Sequence, residues 1–210
     1  MVSSARDAWQ KLYAKHGLQY GGQGNIKPLE PFLRPDMLVL DAGCGDGKTT
    51  ESIAKKCDVV GSDFSREALL SLRSQRQSLS NVNLVECELA SMPFESEKFD
   101  AVVCVHAISH MLRRERHEIA EELARVLKRE GRILVEGFGK DDVRFGVGAK
   151  VEEGTFLRGN GILTHYFEER EIPRLFRGLE FITETRVVQR TTLGSKSGKR
   201  EIIRALMKKG

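Results

Sequence analysis

Apolar and polar positions follow a regular pattern over the first two thirds of the chain. Short apolar runs predict buried strands at residues 37–40, 59–62, 82–87, 99–105 and 131–135. Between them, apolar positions at helical spacing predict helices at 48–56, 65–77 and 113–128, with Ser65 as the N-cap of the second. Strands that alternate with helices predict βαβ crossovers, and therefore an α/β fold with a doubly wound, mostly parallel sheet.

The last third has a different pattern. Residues 138–164 form a long, Gly-rich connection without clear periodicity, and a short helix is expected at about 168–176. Residues 181–192 and 201–208 alternate at period two and are joined by the turn-rich segment 193–198. This pattern predicts an antiparallel hairpin at one edge of the sheet. A long loop inside a domain of this size is usually functional.

Composition excludes several classes of protein. Apolar residues make up 40% and charged residues 30% of the 210 positions, which is typical of a folded, water-soluble domain and not of a disordered chain. The sequence contains neither a membrane-spanning run nor the apolar core of a signal peptide. The four cysteines are Cys44, Cys57, Cys87 and Cys104, and none of them forms a CxxC pair. This spacing argues against a zinc ribbon and against a secreted disulfide scaffold. It fits the reducing environment of the cytoplasm.

The net charge of +4 is unevenly distributed. Residues 186–209 contain eight Lys and Arg residues and one acid, Glu201. A basic terminal segment can contact phosphate or an acidic substrate, or it can be the solvated face of a hairpin. No aromatic residue is interleaved with these charges, so a platform for stacking single-stranded bases is not indicated.

The most informative segment is Val39-Leu-Asp-Ala-Gly-Cys-Gly-Asp-Gly-Lys48. Three glycines after a buried strand allow a tight turn and bring bare backbone close to a ligand. The first amides of the next helix would favour an anionic group. The spacing is neither the G-x-G-x-x-G dinucleotide fingerprint, whose third glycine is replaced by Lys48, nor a Walker loop.

This segment resembles the cofactor-binding motif of class I S-adenosylmethionine-dependent methyltransferases of the type 11-like group. Further matches at 60–63, 87–94, 99–111 and 122–135 follow in the family's order, so the resemblance covers about 37–137. It implies a Rossmann-like sheet of seven strands with an antiparallel last strand. It divides a single domain into an N-terminal lid or helix (1–36), a cofactor-binding core (37–137), an acceptor-side loop and helix (138–178) and a C-terminal hairpin (179–210).

The resemblance also implies roles for individual residues. Asp63 ends the second strand and would accept hydrogen bonds from both ribose hydroxyls. Glu88 and Leu89 would address the adenine edge, Phe64 would contact the adenine, and Val105 would line the floor of the cleft. The expected S-adenosylmethionine site is therefore Asp41, Gly43, Cys44, Gly45, Asp63, Phe64, Glu88, Leu89 and Val105, with no metal.

Catalytic residues are harder to identify because a sulfonium methyl group is already activated. A base is needed only if the acceptor must lose a proton. His106, His110 and His165 are candidates for a base or for a group that holds the acceptor; each could instead be structural. Candidates for the acceptor side or a lid are Glu136 and Tyr166, together with the N-terminal aromatic residues Trp9, Tyr13 and Tyr20, all of which could instead pack against the sheet.

The expected function is methyl transfer from S-adenosylmethionine to a small-molecule acceptor. Residues 110–116 resemble tRNA wobble-uridine methyltransferases, so a tRNA base is the alternative acceptor. The family often has paired histidines where this chain has Ser109-His110, which leaves the role of His110 open. Less favoured alternatives are a nicotinamide-dependent oxidoreductase and a non-catalytic subunit that keeps the fold; the acceptor atom and the oligomeric state are not determined by the sequence.

Overall fold

In the computed structural model, which describes residues 5–16, 24–75, 79–193 and 196–210, strands and helices alternate as the sequence pattern predicts. The strands are β1 (Leu38–Ala42), β2 (Asp58–Asp63), β3 (Val82–Glu86), β4 (Phe99–Val105), β5 (Leu127–Gly139), β6 (Ala149–Glu152), β7 (Thr155–Leu157), β8 (Leu163–Phe167), β9 (Glu180–Leu193) and β10 (Lys196–Lys208). The helices are α1 (Ala5–His16), α2 (Lys48–Ala54), α3 (Arg66–Gln75), α4 (Arg113–Val126) and α5 (Glu171–Leu175).

Seven strands form the main sheet in the order β3-β2-β1-β4-β5-β10-β9. The first five are parallel, whereas β10 runs antiparallel to both of its neighbours. This arrangement confirms the expected doubly wound α/β sheet with a C-terminal antiparallel hairpin. The chain reverses its direction of travel across the sheet between β1 and β4, and such a switch point opens a ligand crevice at the carboxyl ends of the strands.

Residues 138–164 differ from the sequence-based expectation. Instead of one irregular loop, they contain β6, β7 and the start of β8, which form a small antiparallel meander. Strand β8 then joins the end of β5 in parallel, pairing Phe138 with Tyr166 and Gly139 with Phe167. These strands have only three to five residues each, which is too short for their alternation to be recognised in the sequence.

Element boundaries agree elsewhere within a few residues. Ser65 caps α3 as predicted, because its Oγ accepts a hydrogen bond from the backbone N–H of Ala68 at 3.3 Å. Helix α4 ends at Val126 and not at residue 128, and β5 begins directly at Leu127 and runs on to Gly139. The longer β5 matters for function because its last residues reach past β4 and form one wall of the crevice.

The central strands of the sheet are buried on both faces, as expected for strands with crossover helices on either side, whereas the edge strands β3 and β9 are partly exposed. Along β1, Leu40 belongs to an apolar cluster that includes Ile119 and Leu123 of α4, whereas Val39 belongs to a second cluster with Ile53 of α2. None of the helices in the described ranges is both long and apolar enough to cross a bilayer.

Candidate functional site

A cavity of about 660 Å³ lies at the carboxyl ends of β1, β2, β4 and β5. Trp9, Leu12 and Tyr13 of α1 line one side of it, and the ring of Tyr13 is almost completely buried. The size is in the range of cavities that enclose a nucleoside-sized ligand. Of the sequence-predicted cofactor residues, all nine line this cavity: Asp41, Gly43, Cys44, Gly45, Asp63, Phe64, Glu88, Leu89 and Val105.

The glycine loop after β1 depends on a backbone that only glycine adopts easily. Gly43, Gly45 and Gly47 have φ angles of 72°, 52° and 86°. A Cβ on Gly43 would lie 2.3 Å from the Cβ of Ala107, so the loop packs against the segment after β4 without room for a side chain. At its glycine positions, the loop therefore exposes its main chain directly to the cavity.

Asp63 locks this loop to the end of β2. One carboxylate oxygen accepts a hydrogen bond from the backbone N–H of Gly45 at 2.8 Å, and the other accepts one from Ser65 at 2.9 Å. Each oxygen keeps a further lone pair for a ligand. Burial raises the pKa of Asp63 to about 6, against the lowering effect of these hydrogen bonds.

Asp41 lies at the end of β1 below the loop and is almost completely buried. It accepts a hydrogen bond from the hydroxyl of Thr50 at 2.6 Å. Burial raises its pKa to about 7, and the negative charge of Asp63 adds to the increase. Because burial favours the neutral form of both carboxyl groups, this end of the cavity becomes more negative as the pH rises toward 7, and a ligand with a positive charge would favour the ionised forms.

His106 directly follows β4 and has a φ of 62°, an uncommon value for a residue other than glycine. Its Nε2 lies 3.3 Å from an oxygen of Glu136, and its ring stacks on Phe138 with 4.3 Å between the ring centres. Burial, followed by the charge of Arg200, holds the pKa of this imidazole well below its usual value. His106 is therefore neutral, and its ring is fixed by contacts on two sides.

His110 is fixed by the meander. Its Nδ1 lies 2.7 Å from the carbonyl oxygen of Leu163, which can only accept, so Nδ1 carries the hydrogen and Nε2 carries a lone pair. Burial lowers the pKa of His110 to about 4. Trp9 contacts its ring edge-on at 4.7 Å. His110 thus offers the cavity a neutral, oriented hydrogen-bond acceptor.

Glu136 faces the cavity near the end of β5, as predicted, and is paired with a basic residue of the hairpin. The guanidinium of Arg204 donates two hydrogen bonds to one of its oxygens, from Nε at 2.7 Å and from Nη2. Both side chains are more than 90% buried. The pair balances its own charge, and it leaves the second oxygen of Glu136 close to His106.

Two candidates from the sequence do not lie in the cavity. His165 is 3% exposed, and both of its ring nitrogens are engaged at 2.8 Å, Nδ1 with the hydroxyl of Thr155 and Nε2 with Glu171. Tyr166 is completely buried against aromatic rings that include Phe138. Both side chains pack beneath the cavity wall, because the residues of β8 are covered by β5, β7 and α5.

Of the three N-terminal aromatic residues that are candidates for a lid, Tyr20 lies outside the described residues. Trp9 and Tyr13 do line the cavity, and their rings stack on each other with 5.9 Å between centres.

No group of three or more His, Cys, Asp or Glu side chains in the described ranges is arranged to hold a metal ion. The four cysteines are free thiols, and burial raises the pKa of Cys44 well above its usual value.

Sequence reasoning missed the acceptor-side wall of the cavity. This wall is formed by residues after β4: Phe138, Arg144, Arg158, Arg200, Ile202 and Arg204. One signal was available, because Arg200, Ile202 and Arg204 alternate along β10 and must share a face of that strand. For Arg158 in the β7–β8 turn, the sequence contains no such signal.

Comparison with known proteins agrees with the fold. A family model described as "Methyltransferase domain" matches residues 39–131. A SAM-dependent methyltransferase from Methanosarcina mazei superposes with a TM-score of 0.75 at 22% identity, covering 90% of this chain and 99% of that one. A 1,6-didemethyltoxoflavin-N1-methyltransferase from Burkholderia thailandensis superposes with a TM-score of 0.61 at 20% identity, covering all of this chain and 80% of that one.

Curated relatives include tRNA methyltransferases. The tRNA N(3)-methylcytidine methyltransferase Mettl2 of Drosophila melanogaster is 28% identical over 147 residues, which are 64% of this chain and 45% of that protein. The tRNA N(3)-cytidine methyltransferase of Danio rerio is 27% identical over 193 residues, which are 83% of this chain and 54% of that protein. The chain spans about half the length of these relatives. Residues 39–131, which contain the glycine loop and its neighbouring strands, therefore match a methyltransferase domain, and the fold is similar to that of solved SAM-dependent methyltransferases.

Proposed function

We propose that this protein transfers a methyl group from S-adenosylmethionine, bound in the cavity, to an acceptor bound against the arginine-rich wall. The observation that carries the proposal is the glycine loop, which is hydrogen-bonded to Asp63 and lines a cavity of about 660 Å³. When bound, the cofactor supplies a methyl group already activated by a sulfonium. The protein needs only to orient the two reactants and exclude water.

The cofactor half of the site suits this ligand. Asp63 retains a lone pair on each oxygen, which matches the two neighbouring hydroxyls of a ribose. Phe64, Glu88 and Leu89 follow β2 and β3 and line the adjoining wall, where they would surround the adenine. The glycine loop and the buried carboxylate of Asp41 would hold the cationic methionine part of the cofactor.

His110 is the residue best placed to hold the acceptor. Its Nε2 lone pair makes no hydrogen bond to a described residue, while Nδ1 is fixed by Leu163. It would accept a hydrogen bond from an N–H or O–H of the acceptor and so aim a lone pair of that atom at the methyl group. His106, held by Glu136 and Phe138, would shape the neighbouring wall.

The acceptor we favour is a small molecule, because residues of α1 and of β10 both line the cavity and limit its volume to about 660 Å³. A tRNA base is the second candidate. It is supported by the names of the two curated relatives, by Arg113 and Arg114 at the start of α4, and by the basic hairpin.

Cofactor binding can be tested by isothermal titration with S-adenosylmethionine, S-adenosylhomocysteine and NAD. The first two should bind and NAD should not. Asp63→Ala should weaken binding at least tenfold, because two buried hydroxyls lose their acceptors. Asp58→Ala, at the exposed start of the same strand, is the matched control and should bind normally. Equal affinity of the Asp63 and Asp58 variants would contradict the assignment.

The acceptor can be identified by incubating the protein with cofactor labelled in the methyl group, together with either total tRNA or a small-metabolite extract. Label in the small-metabolite fraction alone supports the favoured acceptor. Label in tRNA, lost steeply as salt is raised, would establish the second candidate instead.

A further inference from the structure

The charges around the cavity are segregated. Acidic lining residues gather at the ends of β1 to β3, whereas the lining arginines belong to the segment after β5, to the β7–β8 turn and to β10. These acids are Asp41, Asp46, Asp63 and Glu88, and the arginines are Arg144, Arg158, Arg200 and Arg204. Two lining residues depart from this division: Lys48 follows the glycine loop, and Glu136 is paired with Arg204. Glu115 lies on the arginine side, where its carboxylate accepts the backbone N–H of Leu112 at 2.7 Å.

Two of the arginines are balanced by carboxylates of the protein. Arg144 donates to both oxygens of Asp142, at 2.6 Å and 2.7 Å, and lies over the ring of Phe138. Arg204 is paired with Glu136. Neither pair contributes a net charge to the cavity, and Arg144 forms part of its rigid wall.

Arg158 is different. No carboxylate in the described ranges lies within ion-pair distance of its guanidinium, although the side chain is partly buried and lines the cavity. Its backbone is fixed by hydrogen bonds on both sides, from its own N–H to Ile162 at 3.0 Å and from Gly161 to its carbonyl at 2.8 Å. Removing a guanidinium partly from water without a negative partner destabilises the protein, and a bound anion would offset this effect.

The neighbouring histidines do not offset this charge. His110 lies within electrostatic range of both Arg144 and Arg158, and after burial these two charges favour its neutral form. Several neutral residues also line this end of the cavity: Asn160, Ile162, Val187, Gln189 and Ile202. On this side of the cavity, Arg158 therefore places a positive charge without a carboxylate partner in the described ranges beside apolar and hydrogen-bonding residues.

We propose that the arginine side of the cavity is a subsite for a carboxylate or phosphate group of a small methyl acceptor, with Arg158 as its ionic partner. The proposal rests on the proposed function for its assignment to the acceptor, but the anion site itself can be measured without methyl transfer. A guanidinium binds either anion through two parallel N–H donors, which also fixes the orientation of the molecule that carries it.

The test uses benzoate, phenyl phosphate and the uncharged benzamide, titrated calorimetrically into the wild-type protein with and without saturating S-adenosylhomocysteine. One or both anions should bind, and benzamide should not. Arg158→Gln should weaken anion binding at least tenfold and leave S-adenosylhomocysteine affinity unchanged, which also shows that the variant is folded. Arg177→Gln, an exposed arginine outside the cavity, is the control and should bind like the wild type.

Equal anion affinity of the two arginine variants would overturn the proposal, as would the absence of anion binding at about 10 mM ligand, a concentration well above a millimolar Kd. Binding of a tRNA through Arg158 with neither small anion binding would also overturn it. Failure of the wild-type protein to bind S-adenosylhomocysteine would count against the proposed function, and the titrations without that ligand would still decide the anion site.

Discussion

At the scale of single residues, the site is built from buried groups whose ionisation the fold has shifted. Asp41 and Asp63 are held in an apolar crevice where burial raises their pKa values to about 7 and about 6. His106 and His110 are held neutral for the same reason, because burial disfavours the charged form of every group. As pH rises, the carboxyl groups therefore lower the free energy of unfolding and the imidazoles raise it. The contribution of one group is measured by substituting that group alone.

Asp41→Asn isolates one of these effects. Between about pH 4 and 7 the folded protein keeps a proton on Asp41 that the unfolded chain has released, so the contribution of Asp41 to the free energy of unfolding falls as pH rises. Relative to wild type, Asp41→Asn should therefore gain about 2–4 kcal/mol between pH 4.5 and pH 7.5. Denaturant unfolding at both pH values measures this, with the exposed Asp58→Asn as control; parallel curves for Asp41→Asn and wild type would refute the assignment.

Gly43 provides a test of the loop geometry. Gly43→Ala places a Cβ 2.3 Å from that of Ala107 at a left-handed backbone position, so we expect a loss of about 1–3 kcal/mol in unfolding free energy and at least tenfold weaker cofactor binding. Gly159→Ala, with no atom within 4 Å of its added Cβ, should change neither. A normal cofactor affinity in Gly43→Ala would mean that the loop does not contact the cofactor.

At the scale of secondary-structure elements, a buried polar network holds the meander in place beneath the cavity. His165 of β8 bridges Thr155 of β7 and Glu171 of α5. Thr155 also donates to Glu152 at 3.1 Å, and Glu152 is paired with the buried Arg116 of α4 at 3.0 Å. Five elements, β6, β7, β8, α4 and α5, are thus joined through side chains that do not line the cavity.

His165→Phe tests whether this network is structural. It removes one hydrogen bond from the buried Thr155 and one from the partly buried Glu171, so we expect a loss of about 1–3 kcal/mol in unfolding free energy. S-adenosylhomocysteine affinity, measured where the variant is folded, should stay within twofold of wild type. His117→Phe on the exposed face of α4 is the control and should be neutral. A selective loss of cofactor affinity in His165→Phe would return His165 to the list of site residues.

At the scale of the whole molecule, the residues that line the proposed cofactor side of the cavity could be predicted from sequence, and most residues of the opposite wall could not. Each cofactor residue, such as Asp41 or Asp63, directly follows a strand with a clear apolar pattern, so its position is a local property of the chain. Arg158 and Arg204 reach the cavity from the meander and the hairpin, which are brought over β5 only by tertiary packing. The meander strands are also too short to show a period, which is why 138–164 was predicted as an irregular loop.

The position of Trp9 allows a measurement on the whole molecule. It is the chain's single tryptophan, it is partly buried, and it lines the cavity against His110. Filling the cavity should therefore change the intensity or wavelength of its fluorescence, and the change should saturate at the calorimetric Kd of S-adenosylhomocysteine. Asp63→Ala should shift the midpoint to higher ligand concentration. An unchanged spectrum at saturation would show that α1 does not cover the cofactor.

The division of the cavity between two stretches of chain has a consequence for how such enzymes diversify. The groups facing the cofactor lie within 41–105, whereas the arginine wall lies within 144–204. Exchanges in the meander and the hairpin should therefore alter the arginine side of the cavity and leave the proposed cofactor side unchanged. Grafting these two segments between homologues would transplant selectivity as a module.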